Sequence, residues 1–284
     1  MEPRLDPEPT DAGRPIPMGR RRALTLLAGA GASAVALAAC GRSGGDSTAA
    51  TTTSTTTAQP GGPPGGAAPS DASSASSADD GTIPEETAGP YPGDGSNGPN
   101  VLTQDGVVRR DIRSSFGGAS GTADGVPLTI DLEIVDTSGS PLPGAAVYVW
   151  HCDREGRYSM YGDITDENYL RGVQVAGDDG RLAFTSIFPG AYSGRWPHIH
   201  FEVYPDEAEA TSAGEPTATS QIALPEDVCA EVYATTGYEQ SVTNMSRSSL
   251  TSDNVFGDDG GVEQLATMSG DVDSGFTATL TVPV

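Results

Sequence analysis

Between residues 128 and 135 the chain reads Leu-Thr-Ile-Asp-Leu-Glu-Ile-Val, with apolar and polar side chains alternating at a period of two. Such alternation marks a strand with one face in a core and the other toward solvent. The stretch that follows, Asp136 to Gly144, is rich in Ser, Gly and Pro and predicts a turn. Residues 145–150 then read as a buried strand, and Gly177-Asp178-Asp179-Gly180 as a turn leading into a strand over residues 181–187. Residues 199–204 and 276–282 complete the predicted set. One short helix is expected from Pro225, with Glu226 and Asp227 in the first turn, where the helix dipole favours acids. No sustained 3.6-residue pattern competes with these strands. The expectation is an all-β fold, a β-sandwich core with short helices and long loops.

The first 82 residues break this pattern. Arg20-Arg21-Arg22 precedes a Gly/Ala-rich apolar run that ends Leu37-Ala38-Ala39-Cys40. A positive n-region, a short apolar region and a small-residue cleavage site predict a signal peptide over residues 1–40. The consecutive arginines resemble a twin-arginine export signal. The last four residues resemble a bacterial lipobox, which implies cleavage before Cys40 and lipidation there. Met1 and Met18 are both possible starts. Residues 41–82 are dominated by Ser, Thr, Pro, Gly and Ala, with no large apolar side chain to bury, and predict a disordered linker. The expected product is an exported protein, lipid-anchored to the outer face of the cell membrane, with its folded domain over residues 83–284.

Charge narrows the function. The 284 residues hold 39 acids and 15 basic side chains, all of them arginine, for a formal charge of −24. Residues 83–284 alone hold 31 acids and nine arginines, a charge of −22, so the acidity belongs to the folded part. A body this negative repels phosphate backbones and excludes nucleic-acid binding through a basic face. No interior run of 20 apolar residues occurs, which excludes a multi-span membrane protein. Three cysteines exclude a disulfide-dense mini-domain. Of the two in the folded part, Cys152 and Cys229 either pair in an oxidising exterior or remain two buried thiols.

Two of the three histidines form His198-Ile199-His200. On a strand, residues two apart share a face, so both imidazoles converge and Ile199 turns the other way. A pair of this kind is a common beginning of a metal site. Around it stand Pro189-Gly190-Ala191-Tyr192 and Arg195-Trp196-Pro197, followed by Phe201. Upstream lie Pro141-Leu142-Pro143-Gly144-Ala145, then Trp150 with Gly156 and Tyr158 at fixed spacing, and earlier Thr87-Ala88-Gly89-Pro90-Tyr91.

These segments, in this order, resemble the intradiol ring-cleavage dioxygenases, which open catechol rings with non-haem Fe(III) and O₂. Carried over residue by residue, the resemblance implies Tyr158, Tyr192, His198 and His200 as iron ligands. Two phenolates suit a hard Fe(III) ion. It further implies that Arg195 stabilises developing negative charge, that Gln221 partners Arg195, and that Tyr158 is the ligand displaced by substrate. The implied product is a cis,cis-muconate-type diacid. Tyr91 and Trp196 are expected in the substrate pocket, and His151 in a structural or supporting role. Trp196-Pro197 departs from the family's more familiar Pro-Ala before the first ligand histidine. Rival readings are a non-enzymatic lipoprotein that binds glycans or aromatics with a relic metal site, and an enzyme using another metal. Neither the particular catechol nor the oligomeric state is legible in the residues.

Overall fold

The computed structural model describes residues 81–284. The export signal, Cys40 and all but the last two linker residues lie outside the described residues. Eight strands form: β1 (Pro127–Val135), β2 (Ala146–Trp150), β3 (Arg171–Val175), β4 (Arg181–Ile187), β5 (His198–Tyr204), β6 (Ala218–Ala223), β7 (Thr267–Asp271) and β8 (Gly275–Pro283). Three short helices join them: α1 (Glu207–Thr211), α2 (Glu226–Tyr233) and α3 (Glu239–Met245). The strands divide into two four-stranded sheets, ordered β4-β1-β8-β7 and β3-β2-β5-β6. All neighbours are antiparallel except β1 and β8, which run parallel. The predicted β-sandwich is the fold.

The period-two pattern does what it promised. Leu128, Ile130, Leu132 and Ile134 of β1 pack in one cluster with Val147 and Val149 of β2 and Ile199, Phe201 and Val203 of β5. That cluster lies between the sheets and joins them into one core. The predicted helix begins at Glu226, and Pro225 stands in extended geometry as its cap.

Three strands escaped the sequence pattern, each for a local reason. β3 opens on an arginine, β6 reads Ala-Thr-Ser-Gln-Ile-Ala, and β7 is a mostly exposed run at the end of its sheet. Polar residues mask β3 and β6, yet both are largely buried. The cover on the far side of the second sheet explains this. Val101, Leu102 and Val107, from the segment before β1, cluster with Tyr148, Trp150, Val173 and Tyr204 on the face of that sheet turned away from the sandwich core.

β5 is therefore buried on both faces. One face carries Ile199, Phe201 and Val203 into the core. The other carries His198, His200 and Glu202, all buried. Burying a polar group without a partner costs about 1–3 kcal/mol on mutational scales. Glu202 accepts from the Tyr204 hydroxyl at 2.7 Å and His198 Nδ1 bonds to the Trp196 carbonyl, whereas His200 Nδ1 has no protein partner, so His200 carries that cost and points to chemistry.

The two folded-part cysteines are free thiols, both buried. The disulfide left open by the sequence does not form, and the Cys152 thiol instead donates to the Gly190 carbonyl at 3.2 Å.

Candidate metal centre

The site forms where β5 begins. His198 Nδ1 lies 2.5 Å from the Trp196 carbonyl, which can only accept, so Nδ1 carries the proton. The Nε2 lone pair is thereby fixed and aimed away from the backbone. Around that one atom stand His200 Nε2 at 3.1 Å, the Tyr192 hydroxyl at 3.1 Å and the Tyr158 hydroxyl at 3.5 Å. Arg195 Nη1 is 3.4 Å away.

Each neighbour has an identifiable anchor. His200 sits flat against Trp150, with ring centroids 4.9 Å apart and planes within 5°. Its Nδ1 is buried without a protein partner. Tyr192 follows Gly190, whose amide donates to the Asp153 carbonyl at 3.0 Å. A Cβ at Gly190 would come within 2.3 Å of the Arg154 carbonyl oxygen, so only glycine lets the Tyr192 loop lie against the one leading to Tyr158. From α3, Ser241 Oγ accepts from the Ala191 amide at 2.9 Å, and Asn244 donates to the Ala191 carbonyl at 2.8 Å. The backbone beside Tyr192 is thus held from two sides.

Arg195 is held as firmly. Its Nε pairs with Asp253 at 2.9 Å, and the Asp253 side chain is fully buried. The same carboxylate accepts from the amides of Trp196, Val255 and Phe256. Arg195 Nη2 donates to Gln221 Oε1 at 2.7 Å, and Gln221 donates onward to the Thr87 carbonyl at 2.8 Å. Register explains the Gln221 contact, because β6 pairs with β5 so that Gln221 stands opposite His200.

The donor set fits a metal ion. Two imidazole nitrogens 3.1 Å apart match neighbouring corners of a coordination sphere of about 2.1 Å radius. Burial holds both histidines neutral, with pKa values well below the ordinary imidazole range and the Arg195 charge adding to the effect. Neutral imidazole is the form that ligates. Burial also pushes Tyr192 up to about 12 and Tyr158 well above the ordinary phenol, with Arg195 opposing both. Only a strongly charged cation beside them would ionise both tyrosines near neutral pH. Fe(III) meets that requirement better than a divalent ion.

Other expected residues fall differently. Tyr91 lies against Tyr158, ring centroids 5.0 Å apart, beside the donor cluster. Trp196 is not a pocket wall. It is 3% exposed, packs on Ala223, Val255 and Phe256, and donates through Nε1 to the Leu224 carbonyl. Its ring packs against Phe256, whose own ring lies 6.5 Å from that of His198 and 6.0 Å from the Arg195 guanidinium. His151 bonds to the Cys152 carbonyl and Ser186 Oγ and has a structural role. Asp253 was invisible to sequence reading. It lies 58 residues beyond Arg195 in a loop with no local signature, and only folding joins them.

Comparisons with known proteins agree with this geometry. A dioxygenase family model matches residues 98–200, the stretch holding Tyr158, Tyr192, His198 and His200. A catechol 1,2-dioxygenase of Pseudomonas sp. (strain EST1001) is 33% identical over 69 residues, covering 24% of this chain and 23% of that protein. A hydroxyquinol 1,2-dioxygenase of Nocardioides simplex is 33% identical over 107 residues, covering 31% of this chain and 36% of that one. The chain thus spans only about a quarter to a third of the length of these curated relatives. An intradiol ring-cleavage dioxygenase from Tetranychus urticae superposes with a TM-score of 0.57 at 25% identity, over 71% of this chain and 93% of the other. In sequence over residues 98–200 and in fold over 71% of its length, the chain is similar to the intradiol ring-cleavage dioxygenases, and its two-tyrosine, two-histidine cluster lies within that stretch.

Proposed function

We propose that this protein cleaves a catechol-type ring between its two hydroxyl-bearing carbons, using O₂ and a non-haem Fe(III) held by Tyr158, Tyr192, His198 and His200. The observation that carries the reading is the convergence of these four side chains around one lone pair, with a fixed guanidinium beside them. Bound Fe(III) supplies a Lewis acid that draws electron density from a chelated catecholate and opens a ring carbon to O₂.

The chain's own residues do the rest. Two protons must leave the catechol hydroxyls: the Tyr158 oxygen, at 3.5 Å the most distant of the donors from His198 Nε2, is the base we assign to one, and the other passes to solvent. Tyr192, braced by α3, stays in place. Arg195 stands ready to stabilise negative charge that develops on the substrate, and Asp253 and Gln221 keep its fork oriented. Buried rings of Trp150 and Tyr158 restrict water around the histidines.

The test uses the purified full chain. Iron-loaded protein is expected to be red to burgundy from tyrosinate-to-Fe(III) charge transfer, and to take up O₂ with catechol to give a colourless muconate-type diacid. Tyr192→Phe should lose most of the colour and the turnover. Colourless iron-loaded protein, or a yellow semialdehyde product, would overturn the assignment. Binding of aromatics without O₂ uptake would favour the non-enzymatic reading.

We also propose that the enzyme acts outside the cytoplasm, anchored through Cys40. The lipobox-like Leu37-Ala38-Ala39-Cys40 and the arginines before it support this. Expressed from its own export signal, Cys40→Ser protein should move from the membrane to the soluble exported fraction; unchanged membrane retention would count against the anchor.

A further inference from the structure

Arg171 opens β3 and is 1% exposed. A buried cation ordinarily pairs with a carboxylate. Arg171 makes no ion pair among the described residues. Instead, all five of its N–H donors go to uncharged oxygens. Nε donates to Ser159 Oγ at 3.1 Å. One terminal nitrogen donates to the Pro92 carbonyl at 2.6 Å and the Tyr148 hydroxyl at 3.1 Å. The other donates to the carbonyls of Tyr91 and Ser159, both at 2.9 Å.

Four of those acceptors belong to two stretches of chain that meet at the donor cluster. Ser159 directly follows Tyr158. Tyr91 and Pro92 end a strap, Thr87–Gly93, that crosses the site. Gln221 holds the strap's other end at the Thr87 carbonyl. Between the two attachments lies Gly89, at φ +70°, where an added Cβ would come within 3.2 Å of His200 Cε1. Tyr148, the fifth acceptor, stacks on Trp150, which stacks on His200.

We propose that Arg171 is a positioning residue for the metal centre: its planar fork bolts the Thr87–Gly93 strap to the Tyr158 loop and so sets where Tyr158 stands relative to His198 and His200. This rests on the reading of Tyr158 as a metal ligand. A lysine cannot substitute, because three donors on one nitrogen do not span carbonyls on two separate segments. The guanidinium also tolerates burial among carbonyl dipoles better than a strongly hydrated ammonium. A generic stabilising contact would lower the melting temperature and nothing else. A positioning residue must also move the ligand it positions.

The experiment compares Arg171→Met, Arg171→Lys and Tyr158→Phe in the full chain. In metal-free protein, hydrogen exchange is measured at peptides covering residues 87–93 and 158–161. In iron-loaded protein, iron content, the visible spectrum, kcat and KM for catechol are measured. Arg171→Met is expected to keep its iron, to exchange faster at both segments, and to shift the visible band in the same sense as Tyr158→Phe. Its kcat/KM should fall about 100-fold, the scale of a small misplacement of a reacting group. Arg171→Lys should recover little of that loss.

Wild-type spectrum, kcat and KM in Arg171→Met, with only a lower melting temperature, would overturn the proposal. If Arg171→Met does not fold, Ser159→Ala removes one acceptor while leaving the charge satisfied elsewhere, and is judged by the same spectral shift. If the unmodified protein neither binds iron nor consumes catechol, the functional reading fails. The exchange measurement then still decides whether Arg171 couples the strap to the Tyr158 loop.

Discussion

Replacing His198 with alanine is expected to abolish turnover and weaken iron binding by more than 100-fold, beyond the 10- to 100-fold typical of losing a mere supporting contact. His198 is the hub of the cluster: its Nε2 is the atom on which both tyrosines and His200 converge. Its tautomer is set by a backbone carbonyl, so no neighbouring side chain can take over its lone pair. The fold should survive, since the core contacts of β5 come from Ile199, Phe201 and Val203 on the other face. His151→Ala is the control. It removes a buried imidazole bonded to Ser186 and the Cys152 carbonyl and should leave the iron content unchanged. Metal analysis of folded protein decides the matter. Full iron occupancy in His198→Ala, or equal loss in His151→Ala, would remove His198 from the metal sphere.

Arg195→Ala should separate catalysis from metal binding. Loss of a preorganised charge stabiliser typically lowers kcat about 100- to 1,000-fold, and iron should remain, because Arg195 is not among the four proposed ligands. A second effect follows from its partner. Asp253 is fully buried, and removing Arg195 leaves its carboxylate without a countercharge. Breaking a buried pair on one side costs about 3–5 kcal/mol, so Arg195→Ala should also melt markedly lower. Adding Asp253→Asn removes the stranded charge. The double variant is expected to regain part of the stability and none of the turnover, although the new amide serves the Trp196, Val255 and Phe256 amides less well than the carboxylate does. Thermal melts, iron content and oxygen uptake on the same samples test both effects. Normal turnover in a destabilised Arg195→Ala would confine the residue to a structural role.

The parts of the site legible before folding were those with short-range geometry. His198 and His200 share a face because strands alternate, and that conclusion needs only two residues of spacing. Tyr192 and Arg195 lie within six residues of His198 and could be read with it. The five strands expected from alternation or apolar content all form, because burial on one or both faces leaves a periodic trace. β3 and β6 left no such trace. Their polar residues are buried by a loop cover that no local window contains, and Arg171 and Gln221 in them are used for bonding rather than left to solvent.

Trp196 shows the limit in the opposite direction. Its place beside Arg195 suggested a pocket wall, but side-chain direction within a loop is not fixed by adjacency. Its indole found a partner in the Leu224 carbonyl and packs among Val255 and Phe256, so that Phe256 rather than Trp196 meets His198 and Arg195. The cysteines were undecided for a similar reason. Pairing depends on a separation that 76 residues of intervening chain leave unspecified, and in the fold both remain buried thiols.

What the sequence by itself determined was the sandwich class, the acidic character of the folded part, and the shared face of His198 and His200; Tyr158 and Tyr192 were named only through the family resemblance. Periodicity, charge and side-chain chemistry are local or additive properties, and they survive without knowledge of the fold. Only the tertiary structure decided which distant groups complete the site. Asp253 behind Arg195, Gln221 opposite His200, Gly89 over His200 and Arg171 between strap and loop all arise from contacts across long stretches of chain. Closing such loops is a cooperative consequence of packing the whole core, and no single segment encodes it.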